Sequence, residues 1–149
     1  MTGLIISFST YSQISNEYFK VTSSTSQAWA GGPAGSGSGV NYTFSITAEK
    51  DVKIKFDSVW IGGGTAHSFN RYYSTGNDSV LKKGDNIIIY AADYYPGEID
   101  RYNGTDKIKA GSKPPISYQG DALILFYIKG VAYYYAVEKI QVLPYLAYP

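Results

Sequence analysis

The amino-acid sequence predicts an all-β protein, a single antiparallel β-sandwich of about seven to nine strands, with a small β-barrel as the alternative. Tyrosine and glycine each occur 16 times, a composition that suits short strands joined by turns. Apolar and polar residues alternate with a period of two in several segments, and no window carries the apolar stripe of an amphipathic helix. Because 149 residues is the length of one ordinary domain, we expect one sandwich domain over residues 13–149.

The first twelve residues carry a pattern that differs from that of the sandwich. A short apolar patch, Leu4–Phe8, is followed by small residues at Thr10 and Ser12, the small-x-small pattern that precedes a signal-peptidase site. We expect residues 1–12 to be the remnant of a truncated signal peptide, cleaved before Gln13, and the protein to be exported to the periplasm, the cell surface or the medium. The alternative is that Leu4–Phe8 is a first strand. The patch is far shorter than the roughly 20 residues of a membrane span, so we expect no transmembrane segment.

Seven later segments carry the patterns of β-strands and are flanked by turn residues. They are Glu17–Ser24, Val40–Ala48, Val52–Phe56, Ser68–Ser74, Asn86–Ala92, Ala122–Ile128 and Ala132–Val142. The first three show the alternation of a half-buried strand. The segment Ala122–Ile128 is apolar at nearly every position, which predicts a central strand that is covered on both faces.

Two hairpins can be placed from their turn residues. The pair Asn103-Gly104 is a strong signal for a type I′ turn, because both residues tolerate a positive φ. Folding the chain there brings together three pairs of opposite charge. A second turn at Lys129-Gly130 sets Phe126 opposite Tyr133 in the predicted register.

Glycine-rich and repeated glycine motifs indicate turns rather than nucleotide sites. The run Ala28–Gly39, "AWAGGPAGSGSG", lacks the Lys-Ser/Thr ending of a phosphate loop and leads into a strand instead of a helix. We expect a long connection over one end of the sandwich, in which Trp29 either anchors the edge of the core or is presented in a binding surface. The pairs Gly84-Asp85 and Gly120-Asp121 each precede an apolar strand, so we expect the same turn geometry at both.

The inventory of reactive side chains predicts no catalytic centre, no cofactor and no resident metal. The chain has no cysteine and a single histidine, His67, which excludes thiol chemistry and makes a zinc site or a Ser-His-Asp triad improbable. Acidic residues cluster without the spacing of a calcium hand; they are Asp93, Glu98, Asp100 and Asp106. An irregular calcium site at this cluster is the alternative. The formal charge of +1 lacks the basic excess of a nucleic-acid binder. We therefore expect a protein that is not an enzyme, with a glycoside-active enzyme as the third hypothesis.

Aromatic residues carry the functional prediction. Neighbouring tyrosines on a strand point to opposite faces, so some of them must face solvent, where a tyrosine offers flat apolar area and a hydroxyl to a sugar or a protein. The segment Asp93–Gly120 is too long and polar for a simple connector. We expect it to project and to form an aromatic-rich loop surface with Tyr94, Tyr95, Tyr102 and Trp29, in an exported recognition module that binds a glycan or an envelope protein. The alternative is a structural or assembly component of the cell envelope.

Four stretches carry a resemblance to known proteins. These are the region from Trp29 to Tyr42 and the segments "VKIKFDSVWIGG", "LKKGDNIII" and "GDALILFYIKGVAYYYAV". Together they resemble a group of small exported bacterial β-sandwich proteins with no assigned function. The resemblance spans most of residues 15–143 and implies export and an all-β fold, and it carries no site residues.

Overall fold

A computed structural model describes residues 17–62, 66–68, 70–73, 80–97 and 113–149, with the backbone alone for 66–68 and 70–73. The predictions for Leu4–Phe8, for residues 1–12 and for the hairpin at Asn103-Gly104 lie outside the described residues. The described residues form strands and no helix. None of them therefore belongs to a helix that could span a membrane.

The described strands confirm the all-β prediction. In chain order they are β1 (Phe19–Ala30), β2 (Ser38–Ala48), β3 (Val52–Ile61), β4 (Ala66–Ser68), β5 (Asn70–Tyr73), β6 (Val80–Leu81), β7 (Asn86–Tyr95), β8 (Ala122–Ile128), β9 (Val131–Val137), β10 (Gln141–Val142) and β11 (Leu146–Ala147). A first sheet has the order β10-β1-β2-β7-β5, with β11 also on β1, and a second has the order β4-β3-β8-β9, with β6 also on β3. The two sheets pack as a sandwich, and neither closes into a barrel.

The main core lies between the two sheets. Alternate residues of β2 and β7 point inward from the first sheet and meet inward residues of β3 and β8 from the second. The largest fully buried members are Phe19, Phe44, Ile46, Ile54, Val59, Ile87, Ile89, Ile124 and Phe126. Phe19 contacts Phe126 edge-on with ring centroids 5.0 Å apart. Burying each such side chain stabilises the fold by about 1.5–3 kcal/mol.

Strand β8 is covered on both faces, as its unbroken apolar sequence predicts. Its alternate residues Leu123 and Leu125 point away from the main core and form a second buried cluster with Trp60. Ile116 and Tyr118, from the segment that precedes β8, pack against this cluster. The Tyr118 hydroxyl donates to the carbonyl oxygen of Trp60 at 3.4 Å.

The turn between β8 and β9 also confirms its prediction. Lys129 and Gly130 have φ values of 51° and 76°, the two positive values that a type I′ turn requires. Phe126 lies opposite Tyr133, as expected. The predicted strand Ala132–Val142 is wrong in extent, because β9 ends at Val137 and the chain then crosses to the first sheet.

The end of the chain forms a feature that we call the C-terminal strap, residues 140–148. It begins at Ile140, which is buried and whose backbone N–H donates to Asp121 Oδ2 at 2.7 Å. Strands β10 and β11 of the strap both pair parallel with β1. Between them Gln27 Nε2 donates to the carbonyl oxygen of Pro144 at 3.0 Å. The strap therefore covers the outer edge of β1.

The glycine-rich run is not the long connection that the sequence suggested. Ala28–Ala30 belongs to β1 and Ser38–Gly39 to β2, so only residues 31–37 connect the strands. The backbone N–H of Gly31 donates to Gly37 O at 2.8 Å, and this bond closes the connection. Strand β1 is accordingly longer than the predicted Glu17–Ser24, because it pairs with β2 along its whole length up to Ala30.

The boundaries of three other strands also differ from prediction. Strand β3 continues five residues beyond the predicted Val52–Phe56, and β7 continues past Ala92 to Tyr95. The predicted strand Ser68–Ser74 is divided between β4, which pairs with β3, and β5, which pairs with β7. The glycines of the pairs Gly84-Asp85 and Gly120-Asp121 both have positive φ, 91° and 133°. Each pair precedes a strand, but the prediction of the same turn geometry is wrong, because the Asp85 N–H donates to Lys82 O and closes a turn, whereas the Asp121 N–H donates to Val137 O of β9.

Candidate functional site

A groove of about 600 Å³ crosses the outer face of the first sheet. Its lining residues come from β1, β2, β7 and the C-terminal strap: Thr25, Gln27, Asn41, Thr43, Tyr90, Ala91, Ala92 and Leu143. The volume lies within the range of small-molecule binding sites, about 300–1,000 Å³. We call this feature the sheet groove.

The register of three adjacent strands creates the sheet groove. Thr43 lies opposite Thr25 on one side and Tyr90 on the other, and Asn41 likewise lies between Gln27 and Ala92. These rows are two residues apart along each strand, so their side chains share one face. The inward residues between them, such as Tyr42 and Phe44, are buried in the core.

The lining of the sheet groove is polar but uncharged. Among the described residues that line it, there is no lysine, arginine, aspartate or glutamate. The side chains offer two amides, two threonine hydroxyls and a phenol, all of which can accept hydrogen bonds and donate them. Strand β3 of the second sheet differs, because its outward residues include Lys53, Lys55 and Asp57, all exposed. The groove is therefore suited to a neutral ligand that is rich in hydrogen-bonding groups.

An aromatic cluster, Trp29, Tyr94 and Tyr148, lies one row beyond the groove. Trp29 and Tyr94 flank Gly39 in the register of β1, β2 and β7. Their rings stack with centroids 6.1 Å apart and an interplanar angle of 22°. Tyr148 of the strap contacts Trp29 edge-on, also at 6.1 Å. Successive rows are about 6.6–6.8 Å apart, so the cluster stands next to the groove on the same face.

Two glycines allow the rings to lie flat on the sheet. A Cβ on Gly39 would stand 2.9 Å from Trp29 Nε1. A Cβ on Gly37 would stand 2.6 Å from the hydroxyl oxygen of Tyr94. Both distances are too short for real contacts, so these positions accept the rings only because they lack side chains.

The structure brings together two of the four predicted site residues. Trp29 and Tyr94 are in contact, although on a sheet face and not on a projecting loop, because Asp93–Tyr95 is the end of β7. Tyr95 follows Tyr94 and points to the opposite face, where it is 54% exposed. Tyr102 lies outside the described residues. The outward polar residues of β1 and β2 were missed as site residues. In β2 they alternate with buried residues, which was an available signal, whereas Ser24–Ala30 of β1 are all partly buried and carry no such signal.

The predicted acidic cluster is described only at Asp93. The Tyr42 hydroxyl donates to Asp93 Oδ2 at 3.0 Å. Burial, and next the negative charge of Asp93, raise the pKa of Tyr42 above its ordinary value of about 10. Asp93 therefore serves as the hydrogen-bond acceptor for the hydroxyl of Tyr42, a buried core residue. Glu98, Asp100, Asp106 and the side chain of His67 lie outside the described part of the chain, in which no three acidic or histidine side chains form a metal-binding group.

No family model, curated protein or solved structure matches this chain. The assignment of a function therefore depends on the chemistry of the sheet groove and the aromatic cluster.

Proposed function

We propose that this protein is an exported, non-catalytic recognition module that binds a neutral glycan in the sheet groove. The observation that carries the proposal is the combination of an uncharged polar groove and a stacked Trp29–Tyr94 pair on one face of one sheet. The signal-like pattern before Gln13 supports export.

The chemistry of a sugar fits both parts of this face. A sugar ring carries hydroxyl groups around its rim, and amide and hydroxyl side chains such as Asn41 and Thr43 can both donate to them and accept from them. The faces of a sugar ring are lined by C–H bonds, and these suit the flat apolar surface of an indole or a phenol. A long glycan could therefore contact the groove with one unit and the aromatic cluster with the next.

The lining also favours binding without catalysis. Glycoside hydrolysis ordinarily needs two carboxyl groups on either side of the bond that is cleaved. The described residues that line the groove include no carboxylate, and Asp93 points to the other face of β7, where it accepts from Tyr42. This distribution supports recognition over a glycoside-active enzyme.

A glycan array followed by calorimetry tests the proposal. The wild-type protein should bind one class of neutral glycan, and Asn41→Ala should weaken that binding by about tenfold, the value of one hydrogen bond of about 1.4 kcal/mol. Asn41 is exposed, so the substitution should leave the fold intact. Lys55→Ala, on the outer face of the other sheet, is the matched control. The proposal fails if the wild type binds no neutral glycan, or if both variants weaken binding equally.

A second candidate, an assembly component of the cell envelope, is favoured by one observation. Among the strands that the structure describes, β9 stands at the edge of the second sheet, and it carries three consecutive tyrosines, Tyr133–Tyr135. An apolar edge strand of this kind is a template for association with another chain.

A further inference from the structure

The sequence of β9 is a palindrome. From Val131 to Val137 it reads Val-Ala-Tyr-Tyr-Tyr-Ala-Val, with Tyr134 at the centre. Within the part of the chain that the structure describes, β9 pairs with β8 alone, so its other edge faces outward from the second sheet. A strand whose sequence is the same in both directions can pair antiparallel with a copy of itself and match every side chain to a symmetric partner.

The backbone of β9 is arranged for the same symmetry. The Val137 carbonyl oxygen points toward β8, where it accepts from the Asp121 N–H at 2.9 Å. Backbone groups of successive residues in an antiparallel strand alternate between the two sides. Residues 131, 133, 135 and 137 therefore bond to β8, and the N–H and C=O groups of Ala132, Tyr134 and Ala136 point to the open edge. These outward groups are also symmetric about Tyr134.

We propose that two copies of this protein associate through β9, antiparallel, about a two-fold axis at Tyr134. Tyr134 then faces Tyr134 of the second copy, and Ala132 faces Ala136 of the second copy. Each of these pairs exchanges both of its N–H···O bonds, as in a hydrogen-bonded pair of an antiparallel ladder. The result is an isologous interface that joins the two second sheets into one continuous sheet.

The side chains of β9 are consistent with a buried edge. Natural edge strands that stay single are protected by charged residues, proline or bulges, and β9 has neither a charged residue nor a proline. Val131 is 54% exposed, and in the dimer it faces Val137 of the second copy. Tyr133 and Tyr135 are partly buried against the core. In the dimer, Tyr133 of one copy lies opposite Tyr135 of the second copy on the inner face of the continuous sheet.

The residues that flank β9 add charge complementarity. Lys129 precedes the strand and Glu138 follows it, and both are exposed. In the symmetric register Glu138 stands opposite Gly130 of the second copy, next to the Lys129 of that copy. The groove lies on the other sheet, so the association leaves it accessible and does not depend on the proposed function.

Sedimentation velocity on the full chain tests the association. The wild type should sediment as a dimer at micromolar concentration. Ala132→Pro should raise the dimer dissociation constant at least about tenfold, because the lost N–H points to the open edge and edge positions of this kind tolerate proline. Ala132→Ser keeps the N–H and should dimerise like the wild type. A monomeric wild type, or equal dimerisation of the proline variant, overturns the proposal.

Cross-linking tests the register even if the proline variant folds poorly. The chain has no cysteine, so Tyr134→Cys carries a single thiol at the two-fold axis. The Cα atoms of a hydrogen-bonded pair are about 5.5 Å apart, within the range of a disulfide. Mild oxidation should link Tyr134→Cys into dimers and leave the control Lys55→Cys monomeric. Equal linking of the two variants contradicts the register.

Amide exchange separates a second copy from any other occupant of the edge. Protection of the Ala132, Tyr134 and Ala136 amides should increase with protein concentration. Protection that is independent of concentration would mean that another part of the same chain covers β9, and would overturn the proposal.

Discussion

Trp29 and Tyr94 stack over Gly39, the residue that separates them in the register of the first sheet, with their ring centroids 6.1 Å apart. The two rings come from strands that are not neighbours, and they meet because the strand between them has no side chain at that point. Trp29 Nε1 is buried and finds no hydrogen-bond acceptor among the described residues. A buried N–H without an acceptor lowers the free energy of unfolding by about 1–3 kcal/mol, and the contacts of the Trp29 ring must offset this loss.

We expect Gly39→Ala to disturb this stack and to destabilise the protein by about 1–3 kcal/mol, the usual effect of overfilling a packed site. The added methyl group would press on Trp29 and on the carbonyl oxygen of Asp93. Urea denaturation measures the stability, and a shift of tryptophan emission reports the displaced indole. Ser45→Ala, on the same strand and away from the rings, should change neither. A stable Gly39→Ala protein with unshifted emission would contradict this view of the cluster.

Alkaline stability should depend on Tyr42. Its pKa is raised in the folded state, by burial and by the Asp93 charge, so the folded protein holds this proton more tightly than the unfolded chain. The resulting stabilisation is complete below about pH 10, the unfolded pKa, and is lost as the pH rises from there toward the folded pKa. Denaturation from pH 7 to 12 should show a steeper alkaline loss for the wild type than for Tyr42→Phe.

At neutral pH the same Tyr42→Phe variant should be about 1–2 kcal/mol less stable than the wild type, because it loses the hydrogen bond to the Asp93 carboxylate. The exposed Tyr145 provides the control substitution, Tyr145→Phe. An equal alkaline slope for Tyr42→Phe and the wild type would mean that other groups determine this pH dependence.

Two turn glycines should respond differently to substitution. Gly120 has a φ of 133°, and a Cβ there would stand 2.5 Å from the Val137 carbonyl oxygen. Gly130 has a φ of 76° with no atom within 4 Å of its would-be Cβ. We expect Gly120→Ala to cost about 2–3 kcal/mol and Gly130→Asn less than about 1 kcal/mol, since asparagine tolerates a left-handed conformation. Denaturant titration of both variants checks the order, and the reverse order would contradict it.

The C-terminal strap should loosen when its anchor is removed. Asp121 accepts from the Ile140 N–H at 2.7 Å, and Asp121→Ala leaves this part-buried donor without its acceptor. Hydrogen exchange of the strap amides should become at least about tenfold faster, which corresponds to 1.4 kcal/mol. Asp121→Asn keeps an acceptor oxygen and should have a smaller effect. Unchanged exchange in Asp121→Ala would show that the pairing with β1 alone holds the strap.

Patterns within short segments of the sequence predicted strand β8 and the β8–β9 hairpin, which depend on residues close together in the chain. The unbroken apolar run of β8 indicated burial on both faces, and Gly130 with its alternating neighbours determined the register of the β8–β9 hairpin. The strap could not be predicted in this way. Its two strands are two residues long each, too short for a periodic signal, and their partner β1 is far away in sequence.

In the candidate site, too, single residues could be predicted from the sequence, whereas their contacts could not. Single residues such as Trp29 and Tyr94 could be selected by type, because aromatic residues are enriched at binding surfaces. Their contact depends on the registers of β1 with β2 and of β2 with β7, which no local pattern encodes. The polar residues Thr25 and Gln27 were assigned to no strand, because the serine-rich and glycine-rich composition around them is also typical of loops.

Because the strap pairs with β1, the first sheet cannot be completed during translation until the strap has been synthesised. Strand β1 ends at Ala30 and its edge partners begin only at Gln141, so the ribosome makes roughly 110 further residues before these partners are available. At about 5–20 residues per second, the edge of β1 waits for several seconds with unpaired backbone groups. A nascent chain in this interval offers an open strand edge to its neighbours on a polysome, so a chaperone that shields this edge until residues 141–147 have left the ribosome should raise the yield of native protein.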